Sequence, residues 1–434
     1  MPVLPVLAYK IRVAVSGAVG ALIFIIPAPG HAGALGGAGV DHHQATAVRP
    51  PASTRVVRSA GLFSVACTAS GACLAGGNYQ AAGRQIEPMV AAQSRGRWSR
   101  GTPLVLPAGA ASQPYAQVNG VACRSAGNCV AVGDYEYGRS RNLQAFIATQ
   151  AHGRWARAFT PRPPANASSP ASAQLDAVTC TRDGSCAAVG SYQDSSGNAQ
   201  TMVLAKPPAG PWRQATEIAS PPNAATNPDA FMTGIACSGP GMCVAVGNYS
   251  VSPNQFEAMG AVELRGAWHR ATEIAAPRGA IAGTFTAITS VSCLAAGPCL
   301  GAGQYAVSAT QSRAMVVTES KGRFGRALAI TAVPRGASAH PSSYLLGVSC
   351  RPSGVCFAVG GGRNRAGHSV AMYLVRSGGH WRAAFLASPA GGTAGRLQLS
   401  ALSAVSCTSR AHCSAVGYYH DRLGADRAEA ASTP

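Results

Sequence analysis

The sequence predicts an all-β chain folded as a seven-bladed β-propeller of four-stranded blades, the last blade closed by an N-terminal strand in a three-plus-one arrangement. Three observations carry this. One segment recurs seven times, each copy holds four runs of strand length, and each end of the chain supplies what the other lacks.

The copies begin near Leu62, Val118, Leu175, Met232, Ile288, Leu345 and Leu402, and first cysteines recur every 56 or 57 residues. All 14 cysteines fall in pairs with five residues between: Cys67 with Cys73, Cys123 with Cys129, Cys180 with Cys186, Cys237 with Cys243, Cys293 with Cys299, Cys350 with Cys356 and Cys407 with Cys413. Turn formers such as Ser70-Gly71 and Asp183-Gly184 separate each pair, so each copy opens as a β-hairpin. A third apolar run follows, as in Ala145-Phe146-Ile147-Ala148. A Gly-containing turn then leads to a fourth strand opened by Trp98, Trp155, Trp212, Trp268, Phe324 or Trp381. Three residues before the first Cys stands Ser64, Gly120, Ala177, Gly234, Ser290, Gly347 or Ala404. Small residues there suit innermost strands, which have the least room where blades converge.

The ends complement each other. Counting back from Cys67 by the spacing of later copies reaches His42, so residues 42–50 read as an orphan fourth strand. Gly417 to Thr433 aligns without a gap on Gly133 to Thr149 and stops at a third strand, Ala428–Thr433. Joining the two closes the ring and hides sheet edges. The C-terminal strand is poor in β-formers, so its blade is expected to fray first.

Residues 1–34 read as a secretory signal and cleavage region. Lys10 and Arg12 precede the apolar run Val13–Ile26, and Ala32-Gly33-Ala34 is a cleavage site of the A-x-A kind. The run is short for a membrane span, which needs about 20 residues. Contact with a membrane is expected only through an uncleaved signal. Residues 35–434 form a single propeller domain. Export agrees with an even cysteine count, which reads as a disulfide framework formed in an oxidising, extracytoplasmic compartment. Each bridge staples one hairpin. No metal or cofactor is expected, because the spacing lacks a metal-knuckle pattern and the 10 histidines ignore the repeat.

The formal charge is +19, or +17 once Lys10 and Arg12 are removed (33 basic less 16 acidic residues), and almost all of it is arginine. A GC-rich genome explains the arginine blandly; attraction to an anionic cell-envelope polymer explains it functionally. A carbohydrate or protein partner also fits, and export disfavours nucleic acid. The rim formed by the loops after the second strand and between blades carries Tyr79, Tyr135, Tyr192, Tyr249, Tyr305 and Tyr419, with Gly362 breaking the series. It also carries Arg84, Arg139, Arg141, Arg313, Arg363, Arg365 and Arg422. These residues, chiefly the tyrosines with Arg139, Arg141, Arg363 and Arg365, suit sugars and anions through stacking and forked hydrogen bonds. The bland alternative makes each Tyr a plug and each Arg merely solvated.

No catalytic residue is assigned. Carboxylates are sparse, Asp134 with Glu136 and Asp176 with Asp183 being the nearest local groupings, and the G-x-S-x-G and H-E-x-x-H patterns are absent. The turns Ser94-Arg95-Gly96-Arg97-Trp98 and Ser377-Gly378-Gly379-His380-Trp381 resemble the Asp-box turn of sialidase-like (BNR-repeat) propellers, without the Asp and with Gly one residue nearer the aromatic. The Cys-x5-Cys-x-Ala-Val-Gly repeat resembles that of secreted repeat proteins of high-GC bacteria. The resemblance implies a propeller and transfers no catalytic residue. Three functions are consistent with these features. The chain is an exported non-enzymatic binding module, a sialidase-like or lyase-type carbohydrate-active enzyme, or a structural scaffold.

Overall fold

The computed structural model describes residues 45–51, 59–80, 85–281, 285–295, 297–386, 400–408, 412–422 and 425–432. The proposed signal, residues 1–34, lies outside them, as do His42, Arg84 and Thr433.

Seven antiparallel sheets follow one another along the chain. In blade 2 the strands are Ala116–Ser125 (a), Asn128–Tyr137 (b), Asn142–Ala151 (c) and Arg154–Trp155 (d), paired in the order a-b-c-d. The other blades repeat this order. Strand b is buried almost throughout, as in Cys73–Gln80, because neighbouring sheets cover both of its faces. That explains why it reads as an unbroken apolar run rather than an alternating one. The core is accordingly divided among the clefts between blades. Leu74 and Val90 of blade 1, for example, pack on Val118, Val121, Ala131 and Phe146 of blade 2.

Each hairpin is stapled across its own turn, the two cysteines standing directly opposite each other in the ladder, as Cys123 and Cys129 do. The bridges join Cys67 to Cys73, Cys123 to Cys129, Cys180 to Cys186 and Cys237 to Cys243. They likewise join Cys293 to Cys299, Cys350 to Cys356 and Cys407 to Cys413. The pairing is the one expected from the spacing, and no bridge crosses from one blade to another. Closed disulfides fit an oxidising setting. Among the described residues no helix is long and apolar enough to cross a membrane.

Strand a bulges in every blade between the fifth and third residues before its Cys, for instance between Val118 and Gly120. The bulge explains the recurring glycine of strand b. A Cβ on Gly133 would lie 1.9 Å from the Gln117 carbonyl oxygen, and one on Gly247 would lie 1.8 Å from that of Phe231. The small residue three before Cys also has its expected cause. A Cβ on Gly120, Gly234 or Gly347 would come within 3.0, 3.0 or 2.8 Å of the next blade's Cα at Ala177, Ser290 or Ala404. Where serine stands instead, its hydroxyl is used: Ser64 Oγ accepts from the Val121 amide at 3.0 Å.

The ring closes as the sequence predicts. Thr46 and Ala47 pair with Ala430 and Glu429, and the Val48 amide donates to the Ala428 carbonyl at 3.0 Å. Blade 7 thus takes Ser400–Cys407, Cys413–His420 and Asp426–Ser432 from one end and Thr46–Ala47 from the other. Its third strand starts two residues before the expected Ala428.

The fourth strands differ from expectation in most blades. The aromatic opens only a two-residue segment, such as Arg97–Trp98, after a two-residue turn whose residues both have positive φ (Arg95 at 50°, Gly96 at 75°). Such turns match strand twist, and the second site favours glycine. A separate pair of residues then returns to strand c, as Thr102–Pro103 and Thr272–Glu273 do. Blade 6 alone among the described blades keeps one longer fourth strand, His380–Phe385.

Candidate functional site

The tyrosines end strand b of six blades, and the structure turns every one inward. Tyr79, Tyr135, Tyr192, Tyr249, Tyr305 and Tyr419 are all buried, the last and most accessible at 6% exposure. Their hydroxyls reach neighbouring strands and linkers. Tyr79 bonds to Glu87, and Tyr135 lies 2.6 Å from Thr160 Oγ1. Tyr192 donates to Asn166 (2.8 Å) and Glu217 (2.7 Å), and Tyr249 to Asn223 (2.9 Å) and Glu273 (3.2 Å). Burial first, then an adjacent carboxylate, pushes the Tyr79, Tyr192 and Tyr249 phenols upward. A buried ring offers no face for stacking, so the expectation that these tyrosines contact a ligand is corrected. Tyr79, Tyr135, Tyr192 and Tyr249 act as rivets through these bonds.

The arginines of that rim are not gathered into a single site: Arg313 and Arg363 border one cavity between blades 5 and 6, and Arg139, Arg141 and Arg365 stand apart from it. Arg139 and Arg141 sit on blade 2, where Arg141 donates to the Gln113 carbonyl at 3.1 Å and lies 3.5 Å from Glu136. Arg363 and Arg365 sit on blade 6, three blades away around the ring. Arg365 is exposed in a turn beyond strand b.

Nearer the axis the structure gathers an acid–amide cluster. Asn119 and Asp176 are the residues skipped by the bulges of blades 2 and 3. Asn119 Nδ2 donates to Asp134 Oδ1 at 2.7 Å and to the Leu175 carbonyl at 3.0 Å, while Gln174 Nε2 donates to both Asp176 oxygens at 3.3 and 3.2 Å. Burial pushes Asp134 up to about 7, against the Asn119 bond and reinforced by the charge of Asp176. Its Oδ2 has no partner among the described residues. A carboxyl titrating there could exchange protons. Asp134 and Asp176 are only 1% and 4% exposed, however, so neither presents a face to a sugar. Sequence proximity had paired Asp134 with Glu136 and Asp176 with Asp183; the bulges pair Asp134 with Asp176 instead.

The opposite rim, formed by the cysteine turns, carries a cavity of about 270 Å³ lined by Cys67, Cys123, Cys180 and Cys407 with the residues that follow them. Pro352, two residues past Cys350, joins them, so five blades contribute to one mouth. Exposed Arg124 and Arg182 stand in its wall. The neighbouring Asp183 is engaged by Thr181 and by the Ser185 amide and hydroxyl, which hold its carboxyl below the usual range. Arg124 and Arg182 make no ion pair among the described residues. Each stands one or two residues past a first cysteine. Their place just past the first cysteine is the sequence signal for this mouth.

No protein-family model matches the chain, and no curated protein matches its sequence. Solved structures do. A protein of unknown function from Dyadobacter fermentans DSM 18053 is 10% identical, with a TM-score of 0.49, over 76% of this chain and 96% of that one. Hadza microbial sialidase Hz136 is 12% identical, with a TM-score of 0.44, over 77% of this chain and 66% of that one. Trypanosoma rangeli sialidase in complex with sialic acid is 10% identical, with a TM-score of 0.45, over 90% of this chain and 57% of that one. The chain therefore spans about three fifths of the two sialidases. At these values the likenesses carry no functional argument. The class of protein, a disulfide-stapled seven-bladed β-propeller, rests on the chain's own sheets.

Proposed function

We propose that this is an exported, non-enzymatic propeller that binds an anionic polymer or acidic carbohydrate of the cell envelope. The observation that carries this reading is the cysteine-rim mouth, where Arg124 and Arg182 border a cavity built from several blades. The reading moves the binding face from the tyrosine rim to the opposite one. Without Lys10 and Arg12 the charge is +17 (33 basic less 16 acidic residues), and among the described residues the ion pairs engage only the arginines Arg141 and Arg427. The guanidinium fork suits phosphate, sulfate and carboxylate.

The test is chromatography of the full chain on immobilised polyphosphate and on neutral dextran across a salt gradient. Retention on polyphosphate alone is expected, with earlier elution of the double variant Arg124→Ala with Arg182→Ala. Failure to be retained at low salt, where exposed charges are least screened, would sink the proposal.

A catalytic reading finds its support in the Asp134–Asp176 pair. Against it stand the burial of both carboxylates and their distance from the arginine mouth. Asp176 lies within the strand Ala173–Cys180 and Arg182 in the turn beyond it, at most roughly 20 Å away. Hydrolysis of glycosides by the wild type that disappears in Asp134→Asn would revive this reading.

A further inference from the structure

Blade 6 departs from its neighbours at two matched positions. Where six blades place a buried tyrosine at the end of strand b, blade 6 has Gly362. Where blades 3 and 4 set Glu217 and Glu273 opposite Met202 and Met259, blade 6 sets Phe385 opposite Met372. The tyrosine–glutamate rivet is replaced by a glycine and a phenylalanine. Between blades 5 and 6 at this level lies a cavity of about 250 Å³. Its apolar wall includes Ile330, Met372 and Phe385, and it is bordered by Arg313 and Arg363. Among the described residues neither arginine side chain has a carboxylate partner. Phe385 and Met372 close over Gly362 itself, where a Cβ would lie 3.2 Å from Phe385 Cε1 and 3.4 Å from Met372 Sδ, and the open volume lies beside them.

We propose that this cleft is a binding site for a small aromatic carboxylate. The ring packs against Ile330, Met372 and Phe385, beside the position that a tyrosine holds in six other blades, and the carboxylate faces Arg313 and Arg363. The volume is adequate, since an apolar cavity of about 150 Å³ accommodates benzene. The remaining space and the two guanidinium groups suit a charged substituent. This site is separate from the cysteine-rim mouth and does not depend on polymer binding there.

The experiment titrates 4-hydroxyphenylacetate and, separately, uncharged 4-methylphenol into the full chain by calorimetry and ligand-observed NMR. The acid is expected to bind at least tenfold more tightly. The double variant Arg313→Gln with Arg363→Gln, altered at the cleft border, is expected to erase that tenfold gap while retaining weak binding of both rings. The double variant Gly362→Tyr with Phe385→Glu, which rebuilds the rivet of blades 3 and 4, is expected to bind neither compound and to melt no lower than the wild type. If that variant does not fold, the arginine variant decides alone. Absence of binding to the wild type at millimolar ligand overturns the proposal. So do equal affinities for acid and phenol, or binding that persists in the rebuilt variant.

Discussion

Blades 4 and 7 share one backbone plan and differ in what fills it. In blade 4 the residue paired with the strand-b glycine Gly247 is Met259, fully buried in the cleft beside Met232 and Ala271. In blade 7 the residue paired with Gly417 is Glu429, also 0% exposed, with neither carboxylate oxygen hydrogen-bonded among the described residues. Met89, Phe146, Met202, Met315 and Met372 hold this position elsewhere. Blade 4 is built from contiguous chain, whereas blade 7 depends on a two-residue strand recruited from the far end. The difference teaches that the backbone pattern tolerates a chemically wrong side chain where the ring is zipped shut. Glu429 pairs on its other side with Ala47 of that two-residue strand.

The largest expected effect tests whether the two blades share one cooperative unit. Gly247→Ala would drive a Cβ to 1.8 Å from the Phe231 carbonyl oxygen, and Gly417→Ala to 2.0 Å from that of Ala401. Gly247→Ala is expected to cost about 4 kcal/mol or more in denaturant unfolding. If blade 7 opens on its own, Gly417→Ala costs the global transition less and instead speeds hydrogen exchange in blade 7. Equal global losses would show a single unit and erase the distinction.

Next in size is Glu429→Met, which gives blade 7 the side chain of blade 4. It is expected to stabilise the fold by about 2 kcal/mol at pH 7, from apolar burial and relief of a buried carboxyl. The effect has a pH signature. Burial raises Glu429 well above its ordinary value and Asp134 to about 7. The folded chain therefore binds more protons than the unfolded one between these limits, so stability falls as pH rises from about 4 upward. Glu429→Met and Asp134→Asn should each flatten that slope, read as Tm between pH 4.5 and 8. A slope unchanged in both variants would rule out these carboxyls as its source.

Removing one staple ranks third. Cys407→Ser with Cys413→Ser, and Cys237→Ser with Cys243→Ser, each open a loop of the same length, worth about 2 kcal/mol by chain entropy. The blade 7 pair is expected to leave its own hairpin exchanging faster while blade 4 remains protected. Loss of protection throughout the ring would contradict local opening.

Much of this architecture was legible in the residues. Strand count, bridge pairing and ring closure follow from a repeat whose every copy must satisfy the same geometry, and the termini could be placed by counting from Cys67 and Cys413. Side-chain direction was not legible in the same way. An aromatic at the end of a strand near a rim points outward or inward according to a bulge, and the bulge between Leu62 and Ser64, like its equivalents, is invisible in spacing alone. A signal did exist: Asn166 with Glu217, and Asn223 with Glu273, recur 51 and 50 residues apart, the two acceptors of each tyrosine. Glu429 was hidden for another reason. An ungapped match of Gly417 to Gly133 sets it against Ala145, but Gly417 pairs with Glu429 where Gly133 pairs with Phe146. One residue of loop length moves Glu429 from the position of buried Ala145 to that of Phe146, opposite the strand-b glycine. The arginine mouth required knowing that first-cysteine turns of several blades converge on one cavity.

The smallest expected effect concerns the rivets. Tyr249 shares its hydroxyl proton between Asn223 Oδ1 and Glu273 Oε2, and Asn223 Nδ2 itself donates to Glu273 at 2.8 Å. Removing the hydroxyl by Tyr249→Phe takes one donor from a carboxylate that keeps its amide partner. The loss should be about 1–1.5 kcal/mol, toward the upper end of the range for a neutral hydrogen bond because the acceptor is charged. Tyr419 has no glutamate or asparagine acceptor of this kind among the described residues; the charge of Glu429 nearby raises its phenol after burial does. Tyr419→Phe should therefore change stability by less than about 0.5 kcal/mol. Urea unfolding of both variants measures the difference directly. A Tyr419→Phe cost as large as that of Tyr249→Phe would mean that blade 7 is riveted as firmly as blade 4, and that Glu429 is accommodated by a bonding arrangement equivalent to the asparagine–glutamate pair.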